Sequence, residues 1–188
     1  IKDSKLLTAE AREELFSCIQ DLNTRGLLCS GVGRADVREI AVHNIVGATR
    51  RAMQRAIEAL LAGEGGCLLE REPEGPLLVR EDISVAGAAR LLIDGRSLRG
   101  FPWRHEGVVK GDGKSLAIAM ASILAKVVRD RQMAALEEPF PGYGFAAHKG
   151  YGTPGHCAAI RERGPCPEHR MAYLRNLEAA AGEQHEMA

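Results

Sequence analysis

Two aspartates stand out by type and setting. Asp94 closes the run Leu91-Leu-Ile-Asp94-Gly95. Asp112 sits in Val108-Val109-Lys110-Gly111-Asp112-Gly113-Lys114-Ser115. Each follows a short apolar stretch that reads as a buried strand, Leu91 to Asp94 and Gly107 to Lys110. Asp112 also precedes a helix rich in small residues. Two carboxylates at neighbouring strand ends, with lysines around one of them, suit a divalent cation acting on phosphate groups. For a lone aspartate at a strand end, a turn or capping role is the competing reading. Asp130 lies between Arg129 and Arg131 on the predicted helix, and a salt-bridge role keeps it out of this set.

The elements that must position these residues can be read along the chain. Thr8 is an N-cap for a helix that ends at Gly26, with Glu10 and Glu13 near its positive end and Leu15, Ile19 and Leu22 on its apolar face. Leu27 to Val32 reads as a strand. Asp36 to Ile40 starts a helical turn, and Asn44 opens a long helix to about Leu61 with Ile45, Ala48, Ala52, Ile57 and Leu60 inward. Pro73-Glu-Gly-Pro76 marks a turn between two short apolar runs. Ser115 begins a helix to about Leu136, with Leu116, Met120, Ile123, Leu124 and Val127 on one packing stripe. Residues 139 to 155 form a Gly- and Pro-rich loop. A helix follows near His156 to Glu162, and a last one starts near Glu168.

Composition narrows the class. The chain has 188 residues, is 45% hydrophobic and carries no net charge, as one ordinary globular domain would. No apolar run approaches the ~20 residues of a membrane helix. Zero net charge argues against a broad nonspecific nucleic-acid surface, yet Lys110, Lys114, Lys126, Arg129, Arg131 and Lys149 fall close together in sequence. Five cysteines without regular spacing read as reduced thiols of a cytoplasmic protein. His156, Cys157, Cys166 and His169 fit no standard zinc spacing. His148, His156 and His169 read as structural or phosphate-contacting groups, because metal-activated water needs no histidine base.

The motifs also carry a family likeness. Ile93-Asp94-Gly95, Lys110-Gly111-Asp112, Ala121-Ser-Ile-Leu-Ala-Lys126-Val, Tyr143-Gly-Phe-Ala-Ala-His-Lys-Gly-Tyr-Gly-Thr153 and Pro167-Glu-His-Arg170 occur in the order of ribonuclease HII. So do Asp3-Ser4-Lys5 and Asn44 to Met53. The chain resembles that family over nearly its whole length. The resemblance implies an α/β fold of the ribonuclease H type: a mixed sheet flanked by helices, with a helical C-terminal extension, in a single domain over residues 1–188. It implies Mn²⁺ or Mg²⁺ in a two-ion site, with Asp94 and Asp112 as catalytic metal ligands. It gives Ser4, Lys5 and Lys149 to the substrate backbone and Tyr151 to the ribonucleotide, with Tyr143 ranked second.

The implied substrates are RNA–DNA hybrids and duplex DNA containing ribonucleotides, cut to leave 5′-phosphates by a cytoplasmic monomer. The family's Asp-Glu-Ala-Gly-Arg-Gly segment has no counterpart here. Two of four carboxylates and the first strands are therefore expected to be missing. The alternative is an inactive fragment or hybrid-binding remnant. Residues 63–90 are expected to be an insertion, and the tail after about residue 179 to be frayed.

Overall fold

Thr8 starts the first helix as its side chain predicts. Its Oγ1 accepts the N–H of Ala11 at 3.2 Å, and α1 runs over Ala9–Thr24. The computed structural model describes residues 6–62 and 90–174. Ser4 and Lys5, the turn at 73–76 with nearly all of the expected insertion, and the tail lie outside the described residues. The remaining elements are α2 (Val37–Leu61), β1 (Leu91–Asp94), β2 (His105–Val108), a 3-10 turn (Gly111–Gly113), α3 (Leu116–Ala135), α4 (Phe145–His148) and α5 (Pro154–Arg163). Helical backbone recurs at 171–174. Among the described residues no helix is long and apolar enough to cross a membrane.

The chain divides into two compact units. One draws on Ile1–Arg34 and Arg50–Val127, the other on Ala35–Thr49 and Val128–Ala188. In the first unit Ile19 of α1 packs with Ile123, Leu124 and Val127 of α3, and Leu15, Phe16 and Met120 border this cluster. Spacing of three and four residues places these side chains on one helix face. A second cluster joins Ile57 of α2, Ile93 of β1, and Phe101 and Trp103 from the connection between the strands.

β1 and β2 pair in parallel, with Leu91 opposite His105 and Asp94 opposite Val108. They are the whole sheet among the described residues. The connection is shorter than a helical crossover. Its aromatic residues Phe101 and Trp103 bury themselves instead, and two side chains tie it to the strand that follows. The Leu98 N–H donates to His105 Nε2 at 2.9 Å, and the Gly107 N–H donates to Ser97 Oγ at 3.1 Å.

α2 contains two starts. Asp36 and Glu39 exchange side-chain-to-backbone hydrogen bonds at 2.8 and 3.2 Å, a reciprocal cap. At Asn44 the backbone turns to φ +56°, and Asn44 Oδ1 accepts the N–H groups of Val46 and Gly47. The long helix expected from Asn44 thus has its own cap inside the continuous assignment.

Four expectations need correction. Leu27–Val32 is not a strand. The Leu27 N–H closes α1 on Leu22 O, and the Ser30 N–H goes to the Asn23 side chain. Gly31 and Gly33 lie directly on the α2 backbone: a Cβ on Gly33 would stand 1.9 Å from Ala52 O. Second, β2 covers His105–Val108 and stops short of Lys110, whose φ of +56° breaks extended geometry. Third, Ile45 and Leu116 are exposed at 44% and 62%, whereas Ile118 and Ala119 are buried. The inward arc of α3 at its start is therefore rotated from the predicted stripe. Fourth, the glycine-rich loop contains the single turn α4, and α5 begins inside it at Pro154. Glu137 accepts the N–H groups of Gly142 and Ala146, which lets that turn form.

The contact at Gly33 generates a stability test. Gly33→Ala should cost about 1–3 kcal/mol or more, because its neighbours are main-chain atoms that cannot rotate aside. Gly155→Ala, with nothing within 4 Å of its Cβ, should leave stability unchanged or slightly raised. Denaturant midpoints measure both. Equal effects at the two positions would contradict the packing of this segment on α2.

Candidate functional site

Asp94 ends β1 at the surface, and its carboxylate turns toward the turn that follows β2. Asp94 Oδ1 accepts the Gly111 N–H at 2.8 Å. Gly111 is buried, and a Cβ there would meet the Ile118 side chain at 2.6 Å and Asp94 Oδ1 at 3.2 Å. A glycine is what permits the close approach. Asp112 is the next residue, half-buried in the 3-10 turn, with Oδ1 on the Gly113 N–H at 2.9 Å. The turn is entered through Lys110 in the left-handed conformation and closed by Gly111 O, which accepts from the N–H groups of Lys114 and Ser115. Lys114 Nζ donates to Val109 O at 2.8 Å. That ammonium braces the turn from outside.

Strand pairing and the Asp94–Gly111 bond thus bring the two carboxylates to one corner of the first unit. Carboxylate oxygens keep lone pairs after accepting one N–H, and hard oxygen donors fit Mg²⁺ or Mn²⁺ rather than a softer ion. Among the described residues no third His, Cys, Asp or Glu completes a metal-binding group.

Lys149 and Tyr151 lie in the second unit. α4 ends at Lys149 with φ +52°, and Gly150 follows at φ +80°. This tight turn leaves Tyr151 64% exposed. Tyr143, the competing aromatic, is structural: its hydroxyl donates to Gly164 O at 2.8 Å, and its ring stacks on Phe145 at 5.5 Å between centroids. Exposure separates the two tyrosines, which sequence alone had only ranked. Arg129 is drawn into the same unit near the Tyr151 loop. Burial pushes its guanidinium pKa down, and the neighbouring Arg170 charge adds to that, while Asp130, Glu168 and Tyr151 oppose it.

Sequence reading assigned the three histidines no specific geometry. His156 and His169 are buried, and their Nε2 atoms lie 3.0 Å apart. His156 Nδ1 faces Tyr151 O at 2.9 Å. His148 stacks on His156, with ring centroids 3.9 Å apart and 17° between planes. Its Nδ1 accepts the Gly150 N–H, and its Nε2 faces Tyr143 O at 2.7 Å. The only advance signal was three histidines, His148, His156 and His169, within 22 residues of sequence.

Comparison with known proteins agrees with this arrangement of motifs. The ribonuclease HII family model matches residues 97–176. The chain is 42% identical over 173 residues to the Ribonuclease HII of Paracidovorax citrulli (strain AAC00-1), an alignment covering 92% of this chain and 60% of that protein. It is 43% identical to the Ribonuclease HII 1 of Methylibium petroleiphilum, covering 92% of this chain and 73% of that protein. It is also 43% identical to the Ribonuclease HII of Geobacter metallireducens, with 92% and 68% covered. The chain belongs to the ribonuclease HII family, and it spans between 60% and 73% of the length of these three relatives.

The histidines predict a pH dependence of stability. Burial is the main cause that lowers the pKa of both His156 and His169 from the usual value near 6.5. The His148 ring lowers both further, and the Tyr151 carbonyl (toward His156) and the Cys166 backbone and Glu168 carboxylate (toward His169) oppose the shift. The unfolded chain therefore binds more protons than the folded one just below pH 6.5. Stability is full above that pH and falls as the pH drops toward the folded-state pKa values. Thermal unfolding between pH 8 and 5 should show a midpoint that declines below about 6.5, and a His156→Asn, His169→Gln double variant should show a shallower decline. A midpoint that rose on acidification would contradict neutral buried histidines.

Proposed function

We propose that this chain carries the catalytic corner of a metal-dependent endoribonuclease. Its substrates are RNA in RNA–DNA hybrids and ribonucleotides embedded in duplex DNA, and its products bear 5′-phosphates. The observation that carries the reading is the placement of Asp94 and Asp112 at one strand-and-turn corner, joined through the Gly111 N–H. Asp94 and Asp112 would hold Mn²⁺ or Mg²⁺ there. A divalent ion supplies an activated water and charge neutralisation on the phosphate. The protein's own task is to fix the two carboxylates and to keep their neighbours from moving.

Tyr151 is the contact for the ribonucleotide in this proposal. An exposed aromatic ring on a tight turn can lie against a sugar or base, and the 2′-hydroxyl is what separates RNA from DNA. Lys149 contacts the substrate backbone beside it, as do Ser4 and Lys5. The family name shared with the relatives supports the reaction class. The reaction is placed in the cytoplasm and on a monomer by the same reading.

A hybrid-binding chain without cleavage is the second reading. It is favoured by the two-carboxylate corner, which no third ligand joins among the described residues. One set of measurements separates the two. On a duplex with a single embedded ribonucleotide and Mn²⁺, Asp112→Asn should reduce cleavage by at least two orders of magnitude, about 3 kcal/mol of barrier. Duplex affinity should change little. Tyr151→Ala should instead weaken cleavage at the ribonucleotide roughly tenfold, as expected for losing one stacked contact, without altering Mn²⁺ affinity. Wild-type protein that binds the duplex and leaves it uncut would favour the second reading. Undiminished cutting by Asp112→Asn would remove the metal assignment.

A further inference from the structure

With His156 and His169 neutral, as their burial favours, their hydrogen bonds have one consistent proton arrangement. Tyr151 O can only accept, so His156 Nδ1 carries a proton and donates at 2.9 Å. In the neutral ring Nε2 is then an acceptor. The facing His169 Nε2, 3.0 Å away, must donate to it. That leaves His169 Nδ1 as an acceptor, and the Cys166 N–H lies 3.0 Å from it. Cys166 O lies farther from that nitrogen, at 3.2 Å, and a neutral ring that has its proton on Nε2 has none on Nδ1 to offer it. The order of donation is Cys166 N–H to His169, His169 to His156, and His156 to the carbonyl of Tyr151.

The same logic orders His148. Its Nε2 donates to Tyr143 O, and its Nδ1 accepts from Gly150. The Tyr151 N–H donates to His148 O at 2.9 Å, and Tyr151 O also accepts the Thr153 N–H at 2.8 Å. Both main-chain polar groups of Tyr151 are therefore fixed, while its ring is exposed. Phe145, among the most deeply buried side chains, meets the rings of His148, His156 and His169 at 5.5–5.8 Å and gives the cluster a rigid floor.

We propose that His156, oriented by His169, is a positioning residue that holds Tyr151 in place and thereby sets discrimination between ribonucleotide-containing and all-DNA duplex. The proposal rests on the reading of Tyr151 as the ribonucleotide contact. Both histidines act through the main chain of that residue and touch no substrate. A buried side-chain relay is suited to this task. The turn carrying Tyr151 contains a left-handed non-glycine residue and a left-handed glycine, and its geometry needs support from outside the loop.

Two measurements test it. Long-range ¹⁵N NMR of the folded chain at pH 8 should show His156 protonated at Nδ1 and His169 at Nε2. The opposite tautomer at His156 would overturn the relay without reference to activity. The second measurement is binding preference for a duplex with one ribonucleotide over the all-DNA duplex. Calcium replaces manganese there, so that cleavage plays no part. Tyr151→Ala should lose roughly tenfold of the preference. His156→Phe should lose a similar factor, and His156→Asn, which keeps a donor near the Nδ1 position, should recover most of it. The double variant His156→Phe, Tyr151→Ala should lose no more than Tyr151→Ala alone.

If Tyr151→Ala itself leaves the preference intact, the reading of Tyr151 fails. If Tyr151→Ala loses the preference while folded His156→Phe and His156→Asn keep it, the positioning proposal fails by itself. Additive losses in the double variant would also overturn it, because they would mean that His156 acts independently of Tyr151.

Discussion

The hydrogen bond from the Gly111 N–H to the Asp94 carboxylate is the constraint on which the corner carrying Asp94 and Asp112 depends. It ties the end of β1 to the turn after β2 at 2.8 Å, and it does so in a sheet of only two described strands. Parallel pairing sets Asp94 opposite Val108. The hydrogen bond then fixes where the chain goes next. Gly111 must lack a side chain for the carboxylate to come this close, and Ile118 fills the space behind it. Lys110 accepts a left-handed backbone so that the 3-10 turn can start. Asp112 is delivered to the corner by these steps, and α3 leaves from it with Ile118, Ala119 and Ile123 buried.

The second unit meets a related problem by another route. There the residue to be displayed is an exposed tyrosine on a turn, and a turn by itself is soft. Three imidazoles hold the turn's main chain from below: His148 stacks on His156, and His156 faces His169. Burial favours the neutral forms of His156 and His169, and a neutral ring can donate with one nitrogen and accept with the other. A carboxylate holds the turn at Asp112, and an imidazole cluster holds the turn at Tyr151. In both, a side chain buys the placement of main-chain atoms that no regular secondary structure would supply.

Local signals were legible wherever a short-range rule decides the outcome. Thr8 and Asn44 act as caps, with side-chain oxygens placed to accept main-chain N–H groups within three residues. β1 ends at Asp94 as its apolar run predicts, and α3 spans nearly the expected range. Where apolar content alone was the guide, the reading failed. Leu27 to Val32 has the composition of a strand, yet Gly31 and Gly33 press it against the α2 backbone. Ile45 and Leu116 have the right type for core residues and the wrong angular position.

The sequence by itself determined the family, the two aspartates at the end of a strand and in a turn, and the tyrosine in a glycine-flanked turn. Each is carried by residues adjacent in the chain, where motif and spacing are enough. Tertiary structure alone decided which oxygen of Asp94 meets Gly111, that Tyr143 is packed while Tyr151 is exposed, and that His156 and His169 face each other. Those facts join residues 13 to 26 positions apart. Such partners are chosen by how elements pack and by the need to satisfy every buried polar group, and neither is written in the order of neighbouring residues.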